Sequence, residues 1–536
     1  MPGPAGIVET FRRLYSLFFE PIYAGVFKEL GRELSLSPRG DAVEDESVGH
    51  FLQRRFGKVV ADNFASALFH GIYAGDIYKL SARTLLPSAW FLETKDGSDN
   101  GSIVLEVMDM MLKGFKLHPG HVHSFMAMRA AIGNIDASTR SMMSVLEDAS
   151  VYTFHRGLGS LASRLEESLS QNPNVVIHKQ SRAVSVNSSK SDDRLTVHAE
   201  HSKEGKQFDY VVSSLGPNSV RTFLEQSAQA RGSSIGENVI AACNHSNRSV
   251  NVMVVNLYYS DPDLIPDDMR GFGYLIPRSV PVEQNPERAL GVIFSTETSG
   301  LRGRTDKRQV TRSMVAQSLE QLEAERERLI QQYDILKDKM SDISKTLMRA
   351  QENILKRLEE KIEETKRDEE RWFGNDPSKD VAEIEIKMGQ DTAMGTKLTV
   401  MFGGHWWDSW AKSDLPDEKE AITMATTLLG RHLNITDEPT VAKARLAEDC
   451  IPQYPVGYRR DMARIHDGLM TEYQGRFKVA GPWWQGAVGV NDCIRKSQET
   501  AWSIREQADD QTGLEGYTKD ETWYIAQPRT GELTKV

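Results

Sequence analysis

Residues 174–216 read NVVIHKQSRAVSVNSSKSDDRLTVHAEHSKEGKQFDYVVSSLG, and their texture decides the fold class. NVVIHKQ and RLTVHAE alternate apolar and polar residues as strands do, and FDYVVSSLG reads as a buried strand. Just ahead of them, SLASRLEESL repeats its leucines at helical spacing. Strand alternating with helix predicts an α/β layer. Downstream the strands VNVMVVNLYY, GFGYLIP, LGVIFS and TKLTVMFGG follow, then the helix EKEAITMATTLLGRHL and a Gly-rich turn running into a last helix. Upstream, FRRLYSLFF, VGHFLQRRFGKVVADNFASALFHGIYA and IVLEVMDMMLKGFK space apolar residues three and four apart, which predicts a helical region from Ile7 to about Ser150. Such faces either pack on one another or rest on a membrane surface.

Between Gly300 and Gly389 the composition changes. Val315, Leu319, Leu322, Arg326, Leu329, Tyr333 and the positions that follow to Ile354 alternate spacings of four and three, a heptad seam amid Glu, Lys, Arg and Gln. At about 1.5 Å per residue it would span about 60 Å. After Ile354 the spacing becomes four and four through Leu358 and Ile362, a break in register. The expected object is a coiled coil or a long amphipathic hairpin arm, whose apolar stripe needs a partner.

The 536 residues allow two to four domains. A net charge of −11 argues against nucleic acid as a partner. Cys243, Cys450 and Cys493 have neither metal-ligand spacing nor a disulfide pattern. No apolar run approaches the ~18–20 residues that cross a bilayer. MPGPAG shows neither a signal-peptide nor a transit pattern.

One short segment imitates a dinucleotide loop. GLGSLA, Gly157 to Ala162, follows VYTF and precedes a helix, and such glycines let backbone N–H groups approach a pyrophosphate. An acid should then stand about 20 residues on, to hold the ribose. The segment after NVVI offers His178, Lys179, Gln180, Ser181 and Arg182 instead. The match reads as chance.

Five separated segments resemble protoporphyrinogen oxidases, most closely those of fungi, and in that family's order. They are DESVGHFLQRRFGKVVADNFASALFHGIYAGDIYKLSARTLLPSAW (Asp45 to Trp90), GFGYLIPRSVPVEQNPERALGVIFS (Gly271 to Ser295), GTKLTVMFGGHWWDSW (Gly395 to Trp410), CIPQYPVGYRRDMARIH (Cys450 to His466) and VAGPWWQGAVGVNDCIRKS (Val479 to Ser497). The resemblance implies an α/β (α+β) fold of the flavin amine oxidase type. Its parts are an incomplete FAD-binding domain, a substrate domain with a mixed sheet, a helical membrane-binding domain and an inserted coiled coil. The implied division is 1–148 helical membrane-binding domain, 149–216 FAD-domain segment, 217–300 and 390–444 substrate domain, 301–389 insertion, 445–510 C-terminal FAD-domain segment and 511–536 tail. The insertion would open a surface loop without removing core residues.

The resemblance also implies the chemistry. Protoporphyrinogen IX is oxidised to protoporphyrin IX in haem biosynthesis, with FAD as hydride acceptor and dioxygen reoxidising it, at the surface of the mitochondrial inner membrane. Catalysis is driven by the flavin, with no metal and no catalytic side chain expected. Phe272, Gly273, Leu275 and Met401 match positions lining the family's substrate cavity. Gly481, Gly486, Val490 and Asn491 match a turn whose backbone approaches the isoalloxazine ring, and Val184 matches the position that reads the adenine. The family's arginine for a substrate carboxylate has no counterpart, since no basic residue precedes Arg12.

The family's first strand, phosphate loop and ribose-binding acid have no counterpart in this sequence, because MPGPAG matches a point well inside normal members. Residues 1–536 alone are therefore expected to fold poorly or to bind FAD with negligible affinity. Two further readings stay open: a truncated non-catalytic homologue acting through its coiled coil, by a homodimer or another coiled-coil partner, or a different flavin amine oxidase. HGIYAGDIYKLSAR and IPQYPVG argue against the latter.

Overall fold

The computed structural model describes residues 25–40, 42–94, 101–113, 115–117, 153–154, 157–188, 194–200, 202, 204–298, 305–337, 355, 358–359, 362–363, 365–374, 379–387, 395–518, 524–526 and 533–535. FRRLYSLFF, the first part of the anticipated helical region, lies outside them.

Among the described residues the helical region starts with Val26–Glu33 and continues as Val48–Val59, a π-helical turn Val60–Ala65, and Ser66–Tyr73. Ser47 caps the second helix by accepting from the His50 N–H at 3.2 Å. Gly57, at φ +83°, breaks it where a Cβ would stand 2.5 Å from the Glu29 side chain. Arg55 is fully buried and ion-pairs with Glu33, while Arg54 pairs with Glu93 and Glu46. Removing one partner of such a buried pair strands a charge.

Among the described residues the largest sheet has five strands in the order Val441–Pro452, Ser249–Tyr259, Thr396–Gly403, Ala289–Phe294, Gly273–Leu275. All four pairings are antiparallel, so the expected mixed sheet is corrected for this part of the chain. Gly273–Leu275, Ala289–Phe294 and Thr396–Gly403 follow one another by return connections, which reverse direction, whereas helix Glu418–Leu433 carries the chain from Thr396–Gly403 across Ser249–Tyr259 to Val441–Pro452. Along Ser249–Tyr259 the residues Met253, Val255, Leu257 and Tyr259 join the core under helix Glu418–Leu433, with Ala421, Ala425, Leu428 and Leu429. The alternate residues Val250, Val252 and Val254 face the other way, with Met401, Leu290 and Ala74. Period-two alternation thus gives the sheet one face for its helix and one for the helical region.

The α/β part contains the only parallel pairing among the described residues, Val211–Ser213 with Phe477–Val479. An antiparallel meander, Ala183–Ser188, Leu195–Ala199 and Lys206–Phe208, lies near it. Helices Pro217–Ala230, Glu237–Ser246 and Tyr458–Tyr473 complete a core around Val220, Leu224, Ile465, Leu469, Phe477 and Val479. Helix Gly159–Ser170 forms as its spacing predicts but buries no residue. NVVIHKQ, expected as a strand, has no strand assignment, and Val176 is 74% exposed. A strand needs a neighbour to take its backbone hydrogen bonds, and none is placed beside it among the described residues.

The inserted region leaves and re-enters between Ala289–Phe294 and Thr396–Gly403, which are adjacent in the sheet. It therefore stands where a short hairpin turn could join these two antiparallel strands. Its stem is an antiparallel ribbon, Thr305–Thr311 with Val381–Lys387. Helix Arg312–Lys337 then runs out, and helical residues 365–373 lie on the return limb. Val315 packs with Phe373 and Ala382, and Leu322 packs with Leu358 and Ile362. Arg326–Glu359 at 3.4 Å and Lys366–Glu323 at 3.2 Å cross between the limbs. The described stretch of the seam thus meets the chain's own return limb, an amphipathic hairpin arm. Residues 338–354 lie outside the described set.

The anticipated tail at 511–536 is corrected as well. Thr512 and Leu514 are fully buried, the Val479 N–H donates to the Thr512 carbonyl at 2.8 Å, and Tyr524–Ala526 pairs with Phe115–Leu117.

The contrast between core and exposed helix is testable. Leu224→Ala should cost about 2–5 kcal/mol, whereas Leu165→Ala, at a leucine 57% exposed, should stay within about 0.5 kcal/mol. Urea midpoints of the two variants decide it.

Candidate functional site

Where the sheet, the helical region and the α/β part meet lies a cavity of about 850 Å³. Asp76, Lys79 and Leu80 come from the helical region, and Gly216, Asn218 and Trp483 from the α/β part. Ser249, Val250, Gln453, His405 and Asp408 come from the sheet and the segments leaving it. Ligand sites favour such junctions.

Two glycines bring His405 to this wall. Gly403 has φ +93° and Gly404 φ +61°, and a Cβ on Gly404 would stand 2.2 Å from the Ala74 carbonyl oxygen. That close approach lets the His405 backbone N–H donate to the same carbonyl at 2.8 Å. His70 sits behind, almost fully buried, with Nδ1 2.7 Å from the Ile276 carbonyl and Nε2 2.8 Å from His405 Nε2. A carbonyl only accepts, so His70 carries its proton on Nδ1 and offers a lone pair at Nε2. His405 must then donate from Nε2, which leaves its Nδ1 unprotonated. Burial pushes both rings below the usual histidine range, His405 to about 3, with the neighbouring His70 and Arg278 lowering it further. The pair is neutral.

The Gly-rich turn is held by tyrosines. Tyr454 Oη donates to the Pro482 carbonyl at 2.6 Å, Tyr458 Oη to Trp483 at 2.7 Å and Tyr517 Oη to Trp484 at 3.2 Å. From the other side Trp484 Nε1 donates to the Leu215 carbonyl at 2.9 Å, and the Ala480 N–H donates to Ser213 at 3.0 Å. Three successive carbonyls are thereby fixed, and the turn enters and leaves through Gly481 (φ +102°) and Gly486 (φ +69°). Sequence reasoning missed these tyrosines and the histidine pair. YPVGY hinted at the first two, but their partners lie about 25 residues away.

Of the anticipated substrate positions, Gly273, Leu275 and Met401 share the sheet face that looks toward the helical region. Met401 and Leu275 are both in register with Gly291 on the strand between them. Leu275 reaches Gly71, where a Cβ would come within 3.0 Å of it, and Met401, in register with Val254, packs against the apolar cluster that also holds Val250 of the cavity wall. Phe272 precedes the edge strand and is 62% exposed. None of the four lines the cavity itself. Val184 lies on the first meander strand, and Val490 and Asn491 open helix Val490–Arg505 behind the N-cap Gly489.

These residues fit the ring end of a flavin dinucleotide better than its phosphates. Trp483, carried on the fixed turn at 481–486, borders the cavity and offers it an aromatic face. Gly157–Ala162 runs into the first turn of helix Gly159–Ser170, but no described strand leads into it, and a Cβ on Gly159 would meet nothing within 4 Å. No group of metal-ligating side chains occurs among the described residues, and no described helix is long and apolar enough to cross a membrane.

Residues 9–333 match the family described as flavin containing amine oxidoreductase. Over 457 residues the chain is 26% identical to protoporphyrinogen oxidase of Schizosaccharomyces pombe, covering 85% of this chain and 68% of that one. It is 21% identical over 498 residues to protoporphyrinogen oxidase of Saccharomyces cerevisiae, covering 92% and 75%. A crystal structure from Exiguobacterium sp. 255-15 shares the fold at a TM-score of 0.50 and 15% identity, covering 91% of this chain and 72% of that one.

Two predictions follow from the geometry. Between the ordinary histidine pKa and the lowered folded values, the unfolded chain binds protons that the folded pair excludes, so stability falls as pH drops from about 7 toward 5. The variant His70→Gln/His405→Gln should show a shallower fall in urea midpoint over that range, and an unchanged slope would contradict the assignment. Tyr458→Phe strands the Trp483 carbonyl and should cost about 1–3 kcal/mol, read from the same denaturation curves.

Proposed function

The chain belongs to the flavin-containing amine oxidoreductases, and from that premise we propose that it is an oxidoreductase converting protoporphyrinogen IX to protoporphyrin IX. The observation carrying this reading is the cavity at the three-part junction, bordered by the turn that the tyrosines hold and found in a chain matching protoporphyrinogen oxidases over 85% of its length. FAD is the flavin we assign, and when bound it accepts hydride from the substrate; dioxygen is the terminal acceptor.

The chain's own residues supply position. Trp483 and Val250 give the cavity apolar walls for a tetrapyrrole, and the Leu275–Gly291–Met401 row extends the same sheet face. The glycine in that row lets the Leu275 side chain lie against the strand, where a Cβ would stand 2.8 Å from it. His405, neutral and with Nδ1 unprotonated, presents a hydrogen-bond acceptor to a pyrrole N–H without adding charge. The substrate is poorly soluble, which supports uptake at a membrane surface by the helical region, peripheral to the mitochondrial inner membrane.

A second reading, a homologue without catalysis, is favoured by one observation. Leu165, Leu169, Val176 and Ile177 are exposed on the side of the α/β part where no pyrophosphate loop is described. In that reading the arm recruits a second copy or another coiled-coil protein.

Residues 1–536 expressed alone should purify with well under one FAD per chain; the ratio of flavin to protein absorbance measures this, and stoichiometric flavin would contradict it. With saturating added FAD and no oxygen, protoporphyrinogen IX should bleach the flavin and porphyrin fluorescence should appear. If neither happens while the chain still binds porphyrin, the non-catalytic reading holds.

A further inference from the structure

Charge in the cavity is not balanced residue by residue. Lys79 Nζ lies 2.6 Å from Asp408, and Arg278 takes Asp76 at 2.7 Å. Asp449 accepts from Ser249 Oγ at 2.7 Å. Arg248 differs. Its Nε donates to the His245 carbonyl at 3.3 Å, and among the described residues no carboxylate oxygen lies within 4.0 Å of its guanidinium.

The arginine side chain is exposed, and the backbone that carries it is held in place. It joins helix Glu237–Ser246 to strand Ser249–Tyr259, and its carbonyl accepts from the Gln453 N–H at 2.8 Å. Next to it, Asn247 Oδ1 accepts from the Asn218 N–H at 3.1 Å, which leaves the Asn247 NH₂ as a further donor. Trp483 and Val250 supply apolar surface in the same cavity. An exposed cation with free donors beside apolar walls suits a flat apolar ligand carrying a carboxylate at its edge, because a guanidinium fork meets a carboxylate through two parallel hydrogen bonds.

We propose that Arg248 anchors a propionate carboxylate of the porphyrinogen in this cavity, assisted by Asn247. The proposal rests on the function proposed above. It assigns the carboxylate contact to a residue outside every segment that carries the family resemblance. A phosphate of the flavin dinucleotide shares the anionic chemistry, so the test separates the two sources.

Protoporphyrin IX and its dimethyl ester are titrated into the full chain in detergent micelles, followed by quenching of tryptophan fluorescence. The wild type should bind the acid more tightly than the ester. Arg248→Gln should weaken acid binding about tenfold, as loss of one charge-assisted contact does, and leave ester binding unchanged, which also shows that the variant is folded. Arg248→Lys should recover part of the loss. Equal weakening of acid and ester, or an unchanged affinity for the acid, overturns the assignment while leaving the porphyrin cavity intact. Weaker binding of added FAD with unchanged acid binding also overturns it, giving the guanidinium to a phosphate. A wild type that binds neither porphyrin overturns the assignment together with the function beneath it.

Discussion

Two strands of three residues, Val211–Ser213 and Phe477–Val479, hold the α/β part together across more than 260 residues of intervening chain. The pairing is parallel, so no local turn can supply it; Phe477–Val479 is buried throughout in the core with helices Pro217–Ala230 and Tyr458–Tyr473, while Val211–Ser213 keeps Val212 47% exposed. From this seam the rest is hung. Ser213 receives the Ala480 N–H and Leu215 receives the Trp484 indole, so the Gly-rich turn is pinned where the first strand ends. Gly216 then starts the helix whose first turn borders the cavity. Loss of the seam would release the turn, the tyrosine contacts and the cavity wall together.

What could be read beforehand follows the range of the interactions concerned. Helix Glu418–Leu433 was legible to its ends because Asp417 and Glu420 form a capping box and its apolar stripe meets a single sheet face. Strand Ser249–Tyr259 was legible for the same reason, its alternation being written in one run. NVVIHKQ carries an equally good pattern, yet pattern alone does not make a strand without a neighbour. The tyrosine contacts and the histidine pair were not legible at all. His70 and His405 are 335 residues apart, and their hydrogen bond depends on two glycines and a helix end meeting. The antiparallel character of the large sheet was hidden similarly, since strand direction is fixed by connections rather than by composition.

Of the residues transferred by resemblance, those within regular strands came out together, because register preserves a face. Gly273, Leu275 and Met401 sit on one side of the sheet although more than a hundred residues separate the edge strand from the third. Phe272 lies just outside the strand, where register no longer controls it. The flavin positions scatter more, since they belong to a turn, a helix start and a meander.

The arm's attachment has a mechanical side. Both limbs leave from the same end of two adjacent strands, so tension that spreads them acts on one hydrogen bond at a time rather than on all at once. The stem ribbon Thr305–Thr311 with Val381–Lys387 is met first by such a load. It can open progressively, like a zip, before any force reaches the strand that carries Met401. Whatever pulls on the arm's far end is thereby decoupled from the sheet, and the ribbon serves as a weak link that yields first.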